Sequence, residues 1–280
     1  MNRRSFLSLV SISALMSYGL YKQYTTDDSR DDISNAAVDS LNESSNLLKI
    51  SKFDSTFSDD VLLEPNRMPS LTSLHKKLKY LQSYVGYANF SILSFSELLY
   101  YAKNSNKIAA FTHKELELVD DLFNVNAREF GFFGERVNFK LEERIERKVL
   151  TKVPSSGQYV YKGHSFDTYQ RLRNDIGEQM ILTSGVRSIG KQIYLFVNKA
   201  VEVNGNLSRA SRSLAPPGHS FHAIGDFDVG MKGLGELNFT KEFANTSVYE
   251  QIRMMKYINI RYHETNTLGV RYEPWHIKVV

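Results

Sequence analysis

The chain changes character near Pro154, and this change limits the folds that are open to it. Before Pro154 the apolar residues recur at helical spacing, whereas after it the composition shifts toward Gly, Tyr and β-branched residues. The length of 280 residues allows one large domain, or a catalytic domain with a helical extension. No repeat of fixed period is visible, which argues against a solenoid or a propeller. The pattern predicts an α+β protein.

The first half of the chain is predicted to be mainly helical. Ser70 can cap a helix with one apolar stripe, formed by Leu71, Leu74, Leu78, Leu81 and Val85. Ser94 with Glu97, and Thr112 with Glu115, have capping-box spacing and predict two further helices. In the second half, Tyr159-Val160-Tyr161 is typical of a strand. A helix over 168–178 should lead into the strand Met180-Ile181-Leu182.

The first residues predict export. Arg3 and Arg4 precede an uncharged, largely apolar segment, Phe6 to Leu20, and the start also resembles a twin-arginine motif. Two alternatives remain for residues 1–23: an ordinary secretory signal, or an uncleaved segment that tethers the protein to the membrane. We expect a polar linker over 24–60, a helical extension over 61–150 and a catalytic domain over 151–280. The protein would act in the periplasm or cell envelope.

Charge and cysteine content exclude several classes of function. The net charge of +4 is spread along the chain and is not gathered into one run, so we expect no nucleic-acid partner. The absence of cysteine excludes disulfides, thiolate metal sites and cysteine nucleophiles. Any metal site must therefore use His, Asp or Glu.

Three segments carry candidate chemistry. Ser184-Gly185-Val186-Arg187-Ser188 follows the predicted strand, and Gly185 permits a turn that could direct the Arg187 guanidinium into a cleft, where its planar fork suits a carboxylate. By itself, this segment is more typical of a surface arginine after a turn. Gln192 lies five residues after Arg187.

The second and third segments contain potential metal ligands. The stretch 216–229 holds His219, His222, Asp226 and Asp228 between turn-forming residues, which suits a turn that feeds a strand beside a metal. A solvated polar loop is the simpler alternative. Near the end of the chain, Glu273 lies three positions before His276, a spacing that could place a general base beside a ligand.

Together the three segments resemble the D-alanyl-D-alanine carboxypeptidase and dipeptidase family of zinc peptidases, which shares its fold with lysostaphin-type endopeptidases and the hedgehog domain. The resemblance covers about residues 155–280. The residues that match the family's motifs, in the family's order, are Ser184, Gly185, Arg187, Ser188, Gln192, Ser220, His222, Gly225, Asp228, Glu273, Trp275 and His276.

One departure from the family pattern concerns the aspartate ligand. It usually lies seven positions after the first histidine, but Val229 occupies that position here and Asp228 lies at six. We interpret the loop as shortened by one residue, with Asp228 as the ligand. Asp226 is an alternative, and the pair His219 and Asp226 has the usual separation but abandons the rest of the motif.

The resemblance implies a small, mostly antiparallel sheet with flanking helices. It further implies that His222, Asp228 and His276 bind Zn²⁺ and that Glu273 is the general base. Arg187 would hold a substrate carboxylate or steady an oxyanion, with Ser220 and Gln192 shaping the pocket.

The predicted function is that of a zinc-dependent D-alanyl-D-alanine carboxypeptidase that acts on peptidoglycan stem peptides. A peptidoglycan cross-link endopeptidase of the same fold and a non-catalytic, zinc-stabilised binding module are the alternatives.

Overall fold

The computed structural model of the chain describes residues 45–280. The predicted export signal, and residues 24–44 of the predicted linker, lie outside the described part. Within residues 45–280, no helix has both the length and the apolar character that a membrane crossing needs. The described residues form an α+β fold, as the sequence predicts.

Eight α-helices follow residues 45–51, which are themselves helical. They are α1 Met68–Val85, α2 Tyr87–Phe90, α3 Phe95–Lys103, α4 His113–Asn124, α5 His164–Ile176, α6 Ile189–Glu202, α7 Leu207–Ser211 and α8 Ser247–Met254. Short 3₁₀ turns are found at Pro65–Arg67, Ala127–Phe130, Arg147–Val149, Phe221–Ala223, Gly235–Phe239 and Lys241–Asn245.

The helix starts follow local chemistry at two of the three predicted caps. The hydroxyl oxygens of Ser94 and Thr112 each accept a hydrogen bond from the backbone N–H three residues further on. The carboxylates of Glu97 and Glu115 in turn accept from the backbone N–H of Ser94 and Thr112, so both capping boxes are present. The cap predicted at Ser70 is wrong. Helix α1 begins two residues earlier at Met68, because Pro69 suits the first helical turn, and Ser70 lies inside that turn.

The sheet is small and antiparallel. Strands β1 Leu150–Lys152 and β2 Tyr159–Tyr161 form a separate pair. Strands β3 Met180–Ser184, β4 Phe227–Met231, β5 Asn259–Ile260 and β6 His276–Lys278 form a four-stranded sheet in the order β3-β4-β6-β5. Every pairing in it is antiparallel. Strand β4 is central and buried on both faces, so its residues are held firmly in place.

One hydrophobic core joins the helical first half to the second half. Leu74 and Leu78 of α1 pack in the same cluster as Ile193 and Phe196 of α6, and all four are fully buried. A second core lies under the sheet, between β4 and helices α5 and α8. Residues 61–150 are therefore continuous in packing with α6, although α6 lies in the part predicted as a catalytic domain.

Residues 45–60 differ from the expected free linker. The Asp60 carboxylate accepts hydrogen bonds from Arg212 Nη1 at 2.7 Å and from Arg212 Nη2 at 3.0 Å, and both side chains are almost fully buried. Arg212 also donates to the backbone carbonyls of Phe53 and Ser55. The ring of Phe53 lies 4.8 Å from the Arg271 guanidinium. We call residues 53–60 the strap, because they are bound across the second half of the chain.

Candidate metal centre

Three side chains that the sequence predicts as ligands come together beside the sheet. His222 lies in the 3₁₀ turn before β4, Asp228 lies in β4, and His276 begins β6. Asp228 and His276 are direct partners in the antiparallel ladder, so their side chains project from the same face. One potential ligand atom from each of the three residues lies within 4.8 Å of the others, and all three residues are buried.

Two of the atoms that face one another are buried without a hydrogen bond. His222 Nε2 lies 3.3 Å from Asp228 Oδ1, and His276 Nδ1 lies 3.4 Å from the same oxygen. Both His222 Nε2 and Asp228 Oδ1 are buried without a hydrogen bond. Such orphaned polar atoms are costly in a folded protein unless a water or an ion satisfies them. Two imidazoles and one carboxylate fit Zn²⁺, and three protein ligands leave a position for water or substrate.

The opposite ring nitrogens of both histidines are fixed. His222 Nδ1 lies 2.8 Å from the Gly185 carbonyl oxygen, which can only accept, so this nitrogen carries the proton and leaves Nε2 free. A side chain at Gly185 would collide with the Tyr159 carbonyl oxygen, at 2.0 Å from an added Cβ. His276 Nε2 donates in the same way to Asp226 Oδ2 at 3.1 Å.

Asp226 is therefore a partner of a candidate ligand. Its carboxylate also accepts from Arg261 at 2.7 and 3.1 Å and from the Val279 backbone at 2.8 Å. His219 points elsewhere, with Nδ1 3.1 Å from the Glu135 carbonyl oxygen. The geometry groups Asp228, and neither Asp226 nor His219, with the two histidines.

Arg187 reaches the cluster from the turn after β3. Its guanidinium lies 3.5 Å from Asp228 Oδ2, 3.3 Å from Ser184 Oγ and 3.4 Å from Gln192 Oε1, all long contacts. Its Nε is buried without a partner. Gln192 is buried behind Arg187, and its amide donates to the Ala215 carbonyl. The structure thus places Gln192 where it can orient Arg187, not where it can contact a ligand directly.

A cavity of about 410 Å³ opens above these residues. Glu273 lines it with Oε2 3.5 Å from His276 Nδ1, and Ser220 lines it as well. The cavity therefore brings together the candidate base, Arg187 and the three candidate ligands.

Residues 163–280 match the family model described as VanY, D-alanyl-D-alanine carboxypeptidase. The resemblance to this family is confirmed. We call the matched residues the VanY-like region; it contains every candidate ligand, together with Arg187 and Glu273. None of the curated proteins matches the chain.

Three solved structures are similar to parts of the chain. The LdcB LD-carboxypeptidase is 25% identical over 51% of this chain and 65% of its own, with a TM-score of 0.39. The D,D-pentapeptidase VanY of a VanB-type cassette, in complex with Zn(II), is 23% identical over 53% and 86%, with a TM-score of 0.38. The D,D-dipeptidase VanXYg, with a D-Ala-D-Ala phosphinate analogue, is 20% identical over 56% and 66%, with a TM-score of 0.41. The alignment thus spans just under two thirds of the first of these chains.

Charges in the VanY-like region shift the protonation of its histidines. Burial would lower the pKa of His276, but the hydrogen bonds to Asp226 and Glu273 and the charge of Asp228 raise it to about 9. Burial and the neighbouring Arg187 lower the pKa of His222. Because a metal can bind only the deprotonated imidazole, binding at this centre would release the proton of His276.

Sequence reasoning missed several residues of the site. It did not find Lys191 and Arg271, which line the cavity, or Tyr262, whose ring lies edge-on to His276 at 4.8 Å. Lys191 directly precedes Gln192 in the Arg187 motif, and Arg271 lies two residues before Glu273, so their positions could have drawn attention. Nothing in the sequence indicates Tyr262.

Proposed function

We propose that the chain is an exported, zinc-dependent D-alanyl-D-alanine carboxypeptidase that removes the terminal D-alanine from peptidoglycan stem peptides. One observation carries the proposal: the converging, partly unpartnered donor atoms of His222, Asp228 and His276 lie in a cavity that also holds Glu273. The match of residues 163–280 to a D-alanyl-D-alanine carboxypeptidase model supports the substrate class.

The metal would be held by His222 Nε2, His276 Nδ1 and Asp228 Oδ1. Bound there, Zn²⁺ supplies Lewis-acid polarisation of a carbonyl and makes a water molecule more acidic. Asp226 and the Gly185 carbonyl keep the two rings oriented, and the buried surroundings restrict access of bulk water.

Glu273 would act as the general base. Its Oε2 lies 3.5 Å from His276 Nδ1, beside the candidate ligands, so it could take a proton from a water molecule bound in the cavity. It would accept the proton of that water as the water attacks the scissile carbonyl, and then pass the proton to the departing amine of D-alanine. No covalent intermediate with the protein is required, so Ser220, which lines the cavity, would contact the substrate without acting as a nucleophile.

Arg187 would bind the free carboxylate of the terminal D-alanine. Its guanidinium lines the cavity and makes only long hydrogen bonds, so it could exchange them for a strong paired contact with an incoming carboxylate. Gln192 and Ser184 would hold the guanidinium in place. A free terminal carboxylate as partner for Arg187 favours the carboxypeptidase over the endopeptidase.

A digest of purified muropeptides tests this function. Monomeric pentapeptide stems and cross-linked dimers are incubated with the protein, with and without a chelator, and the products are separated by mass. We expect D-alanine release from the monomers that stops with chelator and returns with added zinc. Loss of dimers alone would favour the endopeptidase, and bound zinc without turnover of either substrate would favour a binding module.

A further inference from the structure

The helical first half forms part of the cavity wall. Tyr87 and Ser91, from the region around α2, line the cavity together with Lys191 and Leu195 of α6. Tyr87 and Ser91 lie outside the VanY-like region, and Lys191 and Leu195 are not among the residues that match the family's motifs. The helical first half therefore contributes directly to the lining of the cavity.

Lys191 is the charged group at this wall. Its Nζ donates to Oε1 of Gln82, a buried residue of α1, and lies 5.7 Å from the Phe90 ring and 5.3 Å from the Tyr194 ring. Within residues 45–280, no carboxylate lies within the 4.0 Å of Nζ that would make an ion pair. The ammonium group is thus held in position by a neutral amide and two aromatic faces.

A second cation, Arg187, lines the same cavity and disfavours the charged form of Lys191. Burial and the nearby charge of Arg187 lower the pKa of Lys191 to about 7. An incoming carboxylate would restore the charged form and remove the repulsion between the two cations. Arg187 has Asp228 as its neighbour, whereas Lys191 has no comparable partner among the described residues.

The size of the cavity allows a second carboxylate. A volume of about 410 Å³ lies in the range that encloses ligands much larger than one alanine residue, so several residues of a peptide fit. Lys191 and Arg187 have separate partners, on α1 and on β3 and β4 respectively, so they present two distinct positive groups.

We infer that Lys191 binds a second carboxylate of the substrate, carried by the side chain of a residue upstream of the scissile bond. This inference rests on the proposed function, in which Arg187 takes the terminal carboxylate. The preferred substrates are then peptides that end in D-alanyl-D-alanine and carry an acidic side chain immediately before it.

Matched peptides test the inference on the full zinc-loaded chain. N-acetyl-glutamyl-D-alanyl-D-alanine is compared with its glutaminyl counterpart, which lacks only the side-chain charge. We expect Lys191→Met to lower kcat/KM about tenfold on the acidic peptide and less than twofold on the neutral one. Lys191→Arg should keep the preference for the acidic peptide. The control is Lys232→Met, which removes an exposed lysine of the turn after β4 and should change neither value.

Binding separates this inference from the proposed function. Calorimetry with the zinc-loaded Glu273→Gln chain measures affinity for both peptides without turnover, and Lys191→Met in that background should abolish the preference for the acidic one. If neither peptide is hydrolysed by the unmodified chain but the Lys191-dependent preference in binding remains, only the carboxypeptidase activity fails. Equal losses on both peptides, or a loss that follows amidation of the terminal carboxylate instead, would overturn the role of Lys191.

Discussion

At the scale of single residues, Asp226 and Asp228 lie two positions apart but have different structural roles. Asp228 points an unpartnered oxygen at both candidate histidine ligands, whereas Asp226 is saturated by His276, Arg261 and the backbone of Val279. Since Asp226 fixes the ring of His276, its loss should weaken a metal centre that it does not touch.

The two aspartates should therefore differ in their effects on zinc. We expect Asp228→Ala to lose stoichiometric zinc, as His222→Ala and His276→Ala should, because each removes one of three protein ligands. Asp226→Asn should keep one zinc per chain at saturation but bind it about 10- to 100-fold more weakly. Titration against a chromophoric chelator measures both. The opposite order of effects would make Asp226 the ligand.

Glu273 should be needed for turnover and not for metal binding. Glu273→Gln preserves the shape of the side chain but removes the basic oxygen, so we expect unchanged zinc content and a rate lowered by about 10² to 10⁴. Single-turnover release of D-alanine, measured beside metal analysis of the same sample, checks this. Near-normal turnover would exclude Glu273 as the base.

Substitution of Arg187 tests whether this residue binds the terminal carboxylate of the substrate. Arg187→Lys keeps the charge but loses the planar fork, so it should impair hydrolysis of a peptide with a free terminal carboxylate far more than hydrolysis of the same peptide amidated at that end. Zinc content should not change. Equal damage on both peptides would mean that Arg187 steadies an oxyanion or the fold, which would favour the endopeptidase.

At the scale of elements, the strap couples the start of the described chain to the candidate site. Arg212 bridges the Asp60 carboxylate and the carbonyls of Phe53 and Ser55, and Phe53 lies against Arg271. Arg271 in turn lies 5.2 Å from the Trp275 ring, with Nε 3.9 Å from Glu273 Oε1. The strap therefore contributes to the packing around the candidate base.

Asp60 should be an important source of stability. Asp60→Asn leaves the Arg212 charge buried without its counter-charge, and we expect a loss of about 3 kcal/mol in the free energy of unfolding. Denaturant unfolding at neutral pH measures it, with the exposed Asp54→Asn, whose contact to Arg209 is 3.8 Å long, as the control.

The same variant should also change the dependence of stability on pH. Burial alone would raise the pKa of Asp60, but hydrogen bonds from Arg212, Asn206 and the Phe57 backbone outweigh it and lower that pKa. The contribution of Asp60 is thus complete above the unfolded pKa, about 3.9, and is lost as pH falls through the lower folded pKa. The difference in the free energy of unfolding between the unmodified chain and Asp60→Asn should become smaller in that acidic range. A gap that is constant down to about pH 2 would contradict this pairing.

At the scale of the whole molecule, sequence reasoning succeeded where the determining contacts are local. The capping boxes at Ser94 and Thr112, and the strand at 159–161, depend on residues a few positions apart. It did not find the contacts that the strap makes with Arg212, about 150 residues away, because a polar composition does not reveal a distant partner. The link between Asp226 and His276 spans 50 residues and was missed for the same reason.

The shared core predicts that the described chain unfolds as one unit. Leu78→Ala in α1 should cost about 2–5 kcal/mol, and the loss should appear equally in far-ultraviolet circular dichroism and in zinc release. A fragment of residues 151–280 should not fold, because α6 would expose the face that α1 covers. A folded, zinc-binding fragment of that length would show that the two halves are independent.

The position of Trp275 gives the protein a built-in optical reporter. It is the only tryptophan among the 280 residues, it precedes His276, and its buried ring lines the cavity against Arg271 and Phe239. Indole emission from the unlabelled chain therefore comes from one point beside the candidate centre. Metal loading, ligand entry and displacement of the strap would each alter the surroundings of that ring, so all three can be followed by fluorescence without attaching a dye.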